Sequence, residues 1–403
     1  MTRLKTRIVE LIGAAGPIPV NQYMALCLFD PQDGYYTTRE PFGAAGDFVT
    51  APEISQMFGE LVAVWLYEAW LATGRPMPVT IAEIGPGRGT LMKDMLRTLS
   101  RLDPALTAGA SFAMVETSPR LIDVQKQTLA ATPSTIGWHE SIGTLPQTPL
   151  FIVGNELFDA VPIRQFVHAG TGWRERMIGL DGADELHFFA GAGSVDPTLL
   201  PNDAENAPQG AIVEVAPARA ALMATIAERL AGLGGAGLFL DYGYLRPGIG
   251  DTLQALRKHD HEDVLANPGE ADLTAHVDFA ALAAIVRAHG LDAHLSTQGE
   301  FLVEMGLLER AGQLGANADE AAREKIAGEV ERLAGPQAMG DLFKVLAVLP
   351  AEIAVPPFAP ADGLFAAASP TLPTSDCRPT LDFRPSLDCS LTKSPTRTTT
   401  PPC

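Results

Sequence analysis

A glycine-rich turn preceded by an acidic residue is the segment best suited to hold a ligand. Glu83 lies in an apolar run from Val79 to Ile84, and glycines follow at the alternating positions Gly85, Gly87 and Gly89. Glycine leaves no side chain between the backbone and a bound group, and the start of the next helix presents free N–H groups. The segment predicts a strand, a ligand-binding turn and a helix, although a purely structural turn can carry the same glycines.

The spacing of these glycines distinguishes between two classes of ligand. A dinucleotide fingerprint reads G-x-G-x-x-G, with the third glycine inside the helix. Here Gly89 comes one residue early, and Thr90 stands at the expected position. With Glu83 before the turn, this is the pattern of S-adenosylmethionine (SAM) sites in Rossmann-like methyltransferases. It disfavours a nicotinamide dehydrogenase.

A second acidic residue strengthens the prediction of a nucleoside-containing ligand. Glu116 follows the apolar run from Ser111 to Val115, and Ser118 and Pro119 can cap and open the next helix. An acidic side chain at the tip of the second strand can accept both ribose hydroxyls. We therefore predict that Glu83, the three glycines and Glu116 bind SAM.

The elements that must position these residues alternate between strand and helix patterns, which predicts a parallel sheet. Later segments continue the pattern, with strands from Thr135 to Trp138, Leu150 to Val153, Ala236 to Leu240, Ala293 to Thr297 and Phe343 to Leu349, and helices from Pro217 to Leu233, Phe279 to His289 and Asp319 to Leu333. The last two strands suit an antiparallel closing pair. Asp241 and Tyr242 follow one strand and are predicted to line the site, although Asp241 can also start a turn.

The chain outside these βα units is predicted to add a helical N-terminus and an inserted antiparallel segment. Short strand-like runs separated by Gly and Asp lie between Gln165 and Ala190. The predicted regions are an N-terminal helical and lid region at 1–75, a SAM-binding half at 76–160, a β-rich insertion at 161–215, the rest of the core at 216–355 and a disordered tail at 356–403. The fold class is α/β, with a class I methyltransferase sheet.

A loop rich in Gly, Pro and Asp precedes a strongly apolar helix and is predicted to act as a lid. Asp47, Thr50, Glu53 and Gln56 are the candidate lid and substrate residues. Thr50 and Glu53 also fit a capping box on that helix, which accounts for their types without a function. Shortening Gly43 to Gly46 is expected to impair turnover more than SAM affinity.

Composition excludes several classes of protein. The formal net charge of −19 opposes binding to nucleic acid, and 46% hydrophobic residues suit a globular core. We find no apolar run long enough for a membrane segment, no signal core and no C-x-x-C pair. His259 and His261 flank Asp260, but a His-x-His on a polar stretch is typical of an exposed loop, so no metal is predicted. The expected location is the cytoplasm, or the mitochondrial matrix in a eukaryote.

Several longer motifs in one order resemble a known family. They are Asp30-Pro31 with Gly34-Tyr35-Tyr36, Gly46 to Gln56, Glu83 to Leu91, Asn155 to Pro162, and Asp272 to Asp278. Together they resemble the MidA-like methyltransferases, the bacterial and mitochondrial relatives of the complex I assembly factor that methylates an arginine. The resemblance spans about residues 5 to 350 and excludes the tail.

The resemblance implies a SAM-dependent protein-arginine N-methyltransferase that acts on a respiratory complex I type subunit and aids its assembly. Asn155 and Glu156 follow a strand at the carboxyl edge, where they should face the donor methyl. Because a guanidinium stays protonated, carboxylates must hold it, and Glu156 and Asp159 are the nearest candidates. Asp159 can instead cap a helix, Glu156 can be a structural acceptor, and His276 is a further candidate for the acceptor pocket. Two alternatives remain, namely a small-molecule O- or N-methyltransferase and an assembly chaperone with a vestigial SAM site.

Overall fold

The computed structural model describes residues 2–38, 50–257 and 260–358. The predictions for Asp47, for the Gly43 to Gly46 loop, for His259 and for the tail from 359 onward lie outside these residues. The strands are β1 (Ile18–Pro19), β2 (Thr80–Ile84), β3 (Ser111–Val115), β4 (Ile136–His139), β5 (Leu150–Asn155), β6 (Arg164–His168), β7 (Trp173–Leu180), β8 (Leu186–Ala190), β9 (Ile212–Val215), β10 (Gly235–Tyr244), β11 (Gln254–Arg257), β12 (Asp260–Glu262), β13 (Asp272–Thr274), β14 (Val277–Asp278), β15 (Leu291–Thr297) and β16 (Phe343–Pro350).

The helices cover the sheets and form the N-terminal extension. They are α1 (Arg3–Ala15), α2 (Val20–Phe29), α3 (Tyr35–Thr38), α4 (Ala51–Ile54), α5 (Gln56–Ala72), α6 (Thr90–Leu102), α7 (Pro104–Gly109), α8 (Pro119–Thr128), α9 (Pro217–Leu233), α10 (Phe279–Ala288), α11 (Gln298–Glu304), α12 (Leu307–Gly315), α13 (Glu320–Ala334) and α14 (Met339–Leu342). Within the described ranges, no helix is long and apolar enough to cross a membrane.

The central sheet has the strand order β15-β16-β10-β5-β2-β3-β4, and β14 pairs with the end of β10. The strands from β10 to β4 run parallel, while β16 lies antiparallel between β10 and β15. This order confirms the predicted parallel sheet with an antiparallel closing pair. All carboxyl ends of the parallel strands therefore meet at one edge, where α/β folds bind their ligands.

Helices bury both faces of this sheet, which explains why its inner strands are mostly apolar. Alternate residues of β5 enter opposite cores, because successive side chains of a strand point to opposite faces. Phe151 and Val153 pack with α5 and α6, whereas Ile152 packs with α9 and α10. The buried strands and the turns between them are thereby held rigidly at the carboxyl edge.

A second, antiparallel sheet joins strands of the insertion to β1 from the N-terminal region. Its order is β1-β7-β6-β9, and β8 also pairs with β7, so the predicted short strands agree with the structure. The N-terminal helices α1 and α2 pack on it in a separate core that also contains residues of β11 and β13. The small sheet β12-β11-β13 was not predicted, because strands of three or four residues are too short to show a periodicity.

The structure corrects the predicted capping box and one strand end. Helix α4 stops after one turn, Thr50 makes no side-chain cap bond, and Ser55 caps α5 by accepting from the Met57 N–H at 3.3 Å. Glu53 accepts a hydrogen bond from the Thr90 hydroxyl instead, so it links α4 to the glycine turn. Asp241 lies inside β10 and does not start a turn, because pairing with β16 continues through it.

Candidate functional site

A cavity of about 810 Å³ opens at the carboxyl edge of the central sheet. The glycine turn, the ends of β3 and β4, the loop after β5, helix α3 and β13 all contribute to its wall. Cavities of several hundred cubic ångströms are typical of small-molecule and cofactor sites. The cavity is therefore large enough for the ligand that the sequence predicts at this edge.

The glycine turn adopts a backbone that other residues adopt only with strain. Gly85, Gly87 and Gly89 have φ angles of 66°, 50° and 81°. A Cβ at Gly85 would lie 3.1 Å from a methyl carbon of Leu157, a residue of the cavity wall. Gly89 forms the left-handed N-cap of α6. These angles explain why glycine is required, and they leave the backbone of Gly85 and Gly87 open to the cavity.

Glu116 sits at the end of β3 with its carboxylate held in place. One oxygen accepts from the N–H groups of Thr117 and Ser118, both at 2.8 Å, and the other accepts from the Gln125 amide at 3.2 Å. Gln125 also donates to the Gly87 carbonyl at 2.8 Å and accepts from the Trp138 indole N–H at 2.9 Å. Gln125 thus fixes Glu116 relative to the glycine turn.

Two buried acceptors beside the turn lack partners in the described part of the chain. They are one carboxylate oxygen of Glu83 and the amide oxygen of Asn155. Glu83 is 3% exposed, and burial raises its pKa to about 8. Both residues line a smaller pocket of about 40 Å³ that also contains Gly85 and Thr90. Unpaired buried acceptors are costly, so the pocket fits a ligand that brings N–H donors, as the amino group of SAM does.

Glu156 follows β5 in a left-handed conformation, with φ 52°. Its carboxylate accepts from the Asn155 amide at 3.0 Å, and its backbone N–H donates to the Leu240 carbonyl at 2.8 Å. Burial, and then the charge of Asp159, raise the pKa of Glu156 to about 7. Strained non-glycine residues cluster at functional sites, and this one faces the cavity.

Asp159 also lines the cavity, and burial raises its pKa. No helix follows it within the described residues before β6, which removes the helix-cap interpretation. Asp241 lies behind it and accepts from the N–H groups of Phe158 at 2.8 Å, Asp159 at 3.1 Å and Tyr242 at 2.9 Å. Asp241 therefore supports the loop that carries Asp159 and does not line the cavity.

Arg219 is a buried cation beneath the same loop. It donates to the carbonyls of Asp159 and Ala275 at 2.9 Å, of Val161 at 3.2 Å and of His276 at 2.6 Å. These contacts join the loop after β5 to the segment after β13. Its donors are directed at backbone carbonyls, so it shapes this wall of the cavity, and its charge lowers the pKa of Asp159 against the larger effect of burial.

The structure brings most, but not all, of the predicted site residues together. Those that line the large cavity or the small pocket are Thr50, Glu53, Glu83, Gly85, Gly87, Glu116, Asn155, Glu156 and Asp159. Five others lie outside both linings. Gln56 donates its amide N–H to Glu60 at 3.2 Å, Asp241 lies behind the cavity wall, and the rings of Tyr242 and His276 pack edge to face 5.4 Å apart. The fifth is Gly89, which contributes to the turn as the N-cap of α6.

Several cavity residues had not been predicted. Glu140 to Gly143 follow β4 and line the cavity. Glu140 directly follows a strand, as Glu116 does, and this similarity in the sequence could have identified it. Phe29, Tyr36 and Asp272 reach the cavity from segments distant in the chain. Tyr36 and Asp272 lie in motifs that carry the family resemblance, but no role in the site was assigned to them. No group of His, Cys, Asp and Glu in the described ranges could hold a metal ion.

The fold and the site together define a class I SAM-dependent methyltransferase. A family model described as "Putative S-adenosyl-L-methionine-dependent methyltransferase" matches residues 61–297. The chain belongs to this family, its cofactor is SAM, and the resemblance to the MidA-like enzymes is confirmed.

Named relatives and solved structures agree with this assignment. The protein arginine methyltransferase NDUFAF7 of Xenopus tropicalis is 35% identical over 372 residues, which cover 86% of each chain. The human protein of the same name is 33% identical over 376 residues, covering 87% of this chain and 84% of the relative. A crystal structure of a Burkholderia thailandensis protein bound to S-adenosyl-homocysteine superposes with a TM-score of 0.73 at 29% identity, covering 86% of this chain and 91% of that one.

Proposed function

We propose that this enzyme is a protein-arginine N-methyltransferase. The observation that carries the proposal is a group of three carboxylates, the half-buried Glu156 and the buried Asp159 and Asp272, which line one cavity with the glycine turn. Burying carboxylates is unfavourable unless a cation pairs with them. A guanidinium supplies that charge together with several N–H donors. The named arginine methyltransferases among its relatives support the same acceptor.

The chemistry divides between the bound cofactor and the residues of the chain. SAM supplies a methyl group on a sulfonium, and Gly85, Gly87, Glu116, Glu83 and Asn155 would hold it. Methylation of a guanidinium nitrogen releases one N–H proton, which needs an acceptor.

Glu156 is suited to that role because its raised pKa of about 7 lies near neutral pH, where a general base is most effective. Asp159 would hold and orient the guanidinium beside it. The remaining wall excludes water from the reacting groups.

The acceptor protein is proposed to be a subunit of a respiratory complex I type assembly, whose assembly the methylation aids. This follows the resemblance to the MidA-like family. The location is proposed to be the cytoplasm, or the mitochondrial matrix in a eukaryotic cell; the relatives' names describe those proteins as mitochondrial. The strongly acidic net charge of −19 agrees with a protein acceptor in place of a nucleic acid.

Mass spectrometry of membrane-complex subunits from cells with and without the enzyme tests the proposal. We expect one or more arginine methyl marks to disappear with the enzyme and to return when purified enzyme and SAM are added. Radiolabel that moves from SAM into a small metabolite and not into protein would instead support a small-molecule methyltransferase. Normal assembly with a variant that cannot bind SAM would support a chaperone.

A further inference from the structure

An aromatic pair forms part of the cavity wall outside the methyltransferase core. Phe29 ends α2 and Tyr36 lies in α3; their rings stack with centroids 5.9 Å apart and an interplanar angle of 20°. Both residues line the large cavity. Phe29 is 48% exposed, so part of its ring is free to contact a ligand.

The segment that carries this pair is anchored firmly. Leu28 and Tyr35, next to the two aromatic residues, are fully buried in the N-terminal core. Between them, Asp30 accepts two hydrogen bonds from Arg7, at 2.9 and 3.0 Å. These bonds from the Arg7 guanidinium are the main cause that lowers the pKa of Asp30 to about 2. The aromatic pair is therefore a built part of the wall.

The aromatic pair is continuous with the buried acids. The Tyr36 hydroxyl donates to a carboxylate oxygen of Asp272 at 2.9 Å. Burial, followed by the charges of Asp272 and Asp159, raises the pKa of Tyr36 well above its ordinary value. One wall thus presents aromatic faces beside carboxylates, and this combination binds a flat cation better than a compact one.

We propose that Phe29 and Tyr36 form the acceptor subsite and select a guanidinium over an ammonium group. The inference rests on the proposed arginine methyltransferase function. Phe29 contacts the acceptor arginine side chain. Tyr36 stacks on its guanidinium and, through its hydrogen bond, orients Asp272 towards the same group. A guanidinium stacks on aromatic rings and binds carboxylates in its plane, whereas a lysine ammonium is a strongly hydrated point charge.

The competing interpretation is that the pair stacks on the cofactor, because adenine is flat as well. Two observations favour the acceptor. The pair comes from the N-terminal segment, and its polar contact is to Asp272, whereas the cofactor residues Gly87 and Glu116 are joined to each other by Gln125. The affinity for S-adenosyl-homocysteine in variants of the pair distinguishes the two interpretations. It should fall if the rings stack on the cofactor and stay unchanged if they contact the acceptor.

The test uses the full chain, SAM and two peptide libraries that differ only in a central arginine or lysine. Phe29→Leu removes the ring, Phe29→Tyr restores one, and Phe189→Leu on β8 is the control. We expect Phe29→Leu to raise KM for the arginine library roughly tenfold and to change kcat less than about twofold. Phe29→Tyr should restore most of the affinity for the arginine library that Phe29→Leu loses, and the control should behave as wild type. Calorimetric affinity for S-adenosyl-homocysteine should be unchanged in all three.

The Tyr36 variants divide its two contributions. Tyr36→Phe keeps the ring and loses the bond to Asp272, so it should raise KM less than Tyr36→Leu does. An unchanged KM in Phe29→Leu, or an equal loss of S-adenosyl-homocysteine affinity, overturns the acceptor subsite while leaving arginine methylation intact. Absence of arginine-dependent turnover in the wild-type enzyme removes the proposed function and this inference together.

Discussion

The two halves of the cavity are built in different ways. On the cofactor half, polar groups are held locally: Glu116 accepts from the two N–H groups that follow it in the chain. On the proposed acceptor half, Asp272 comes from a segment distant in the chain from the loop that carries Glu156 and Asp159, and burial raises the pKa of Glu156 and Asp159. Glu116 is therefore held by its own strand end, whereas the arrangement of the acids on the proposed acceptor half depends on contacts between distant segments of the chain, such as the bond from Tyr36 to Asp272.

Replacing Gly87 should give the largest effect, which is a loss of SAM affinity. That effect should be confined to the cofactor half. Gly87→Val places a β-branched residue at φ 50°, which valine adopts only with strain. We expect SAM affinity to fall at least about a hundredfold, measured by calorimetry. Gly182→Val is the control, because a Cβ there meets no atom within 4 Å. An unchanged affinity would show that the turn does not hold the cofactor.

Glu156→Gln tests the acceptor half at its centre. Loss of a proton acceptor should lower kcat by about a hundredfold or more, while SAM still binds. Since the pKa of Glu156 is raised to about 7, wild-type kcat/KM for the arginine acceptor should rise with pH through about 7 as the carboxylate ionises. Glu309 is exposed, so Glu309→Gln should leave kcat and the pH dependence of kcat/KM unchanged. Full turnover in Glu156→Gln would assign the role to another carboxylate.

Gln125 tests how the cofactor half is held together. Gln125→Leu removes bonds to Gly87, Glu116 and Trp138. It leaves their polar groups unpaired at a cost of about 1–3 kcal/mol each where they are buried. We expect roughly tenfold weaker binding of S-adenosyl-homocysteine by calorimetry, with a lower Tm. Gln127→Leu on the exposed side of the same helix is the matched control. Unaltered affinity would limit Gln125 to a structural role.

Replacing Glu83 should give the smallest effect, which is a change in the pH dependence of Tm of the ligand-free enzyme. Burial raises its pKa from 4.5 to about 8, so the folded state binds the proton more tightly than the unfolded chain. The stability from this group is complete below pH 4.5 and is lost as pH rises through about 8. Glu83→Gln should therefore flatten the fall in Tm between about pH 5 and 8 by a few degrees. A fall as steep as in the wild type would contradict this.

The cofactor half could largely be predicted from sequence because its contacts are local. The turn from Gly85 to Gly89 and the acid at Glu116 each follow an apolar strand, and the early third glycine together with Glu116 distinguished SAM from a dinucleotide. The alternation of strands and helices likewise predicted the central sheet. The capping box at Thr50 was wrong because tertiary contact with Thr90 directs Glu53 elsewhere.

The acceptor half could be predicted only in part because its contacts are long-range. Tyr36 and Asp272 are hydrogen-bonded although 236 residues separate them along the chain. No periodicity or local motif encodes such a pairing, and the resemblance named these segments without placing them together. Asp241 was assigned to the cavity from its position near a strand end, whereas its three backbone contacts place it behind the wall.

The contacts of Arg219 set a rule for exchanging parts between related enzymes. Its guanidinium, carried by α9, binds carbonyls of residues 159 and 161 on one side and 275 and 276 on the other. A chimera that takes only the loop after β5 from a relative would combine its carbonyls with an arginine from the other protein, and the hydrogen bonds between them could be lost. The loop, the arginine of α9 and the segment after β13 should therefore be exchanged together, although they are not contiguous in the chain.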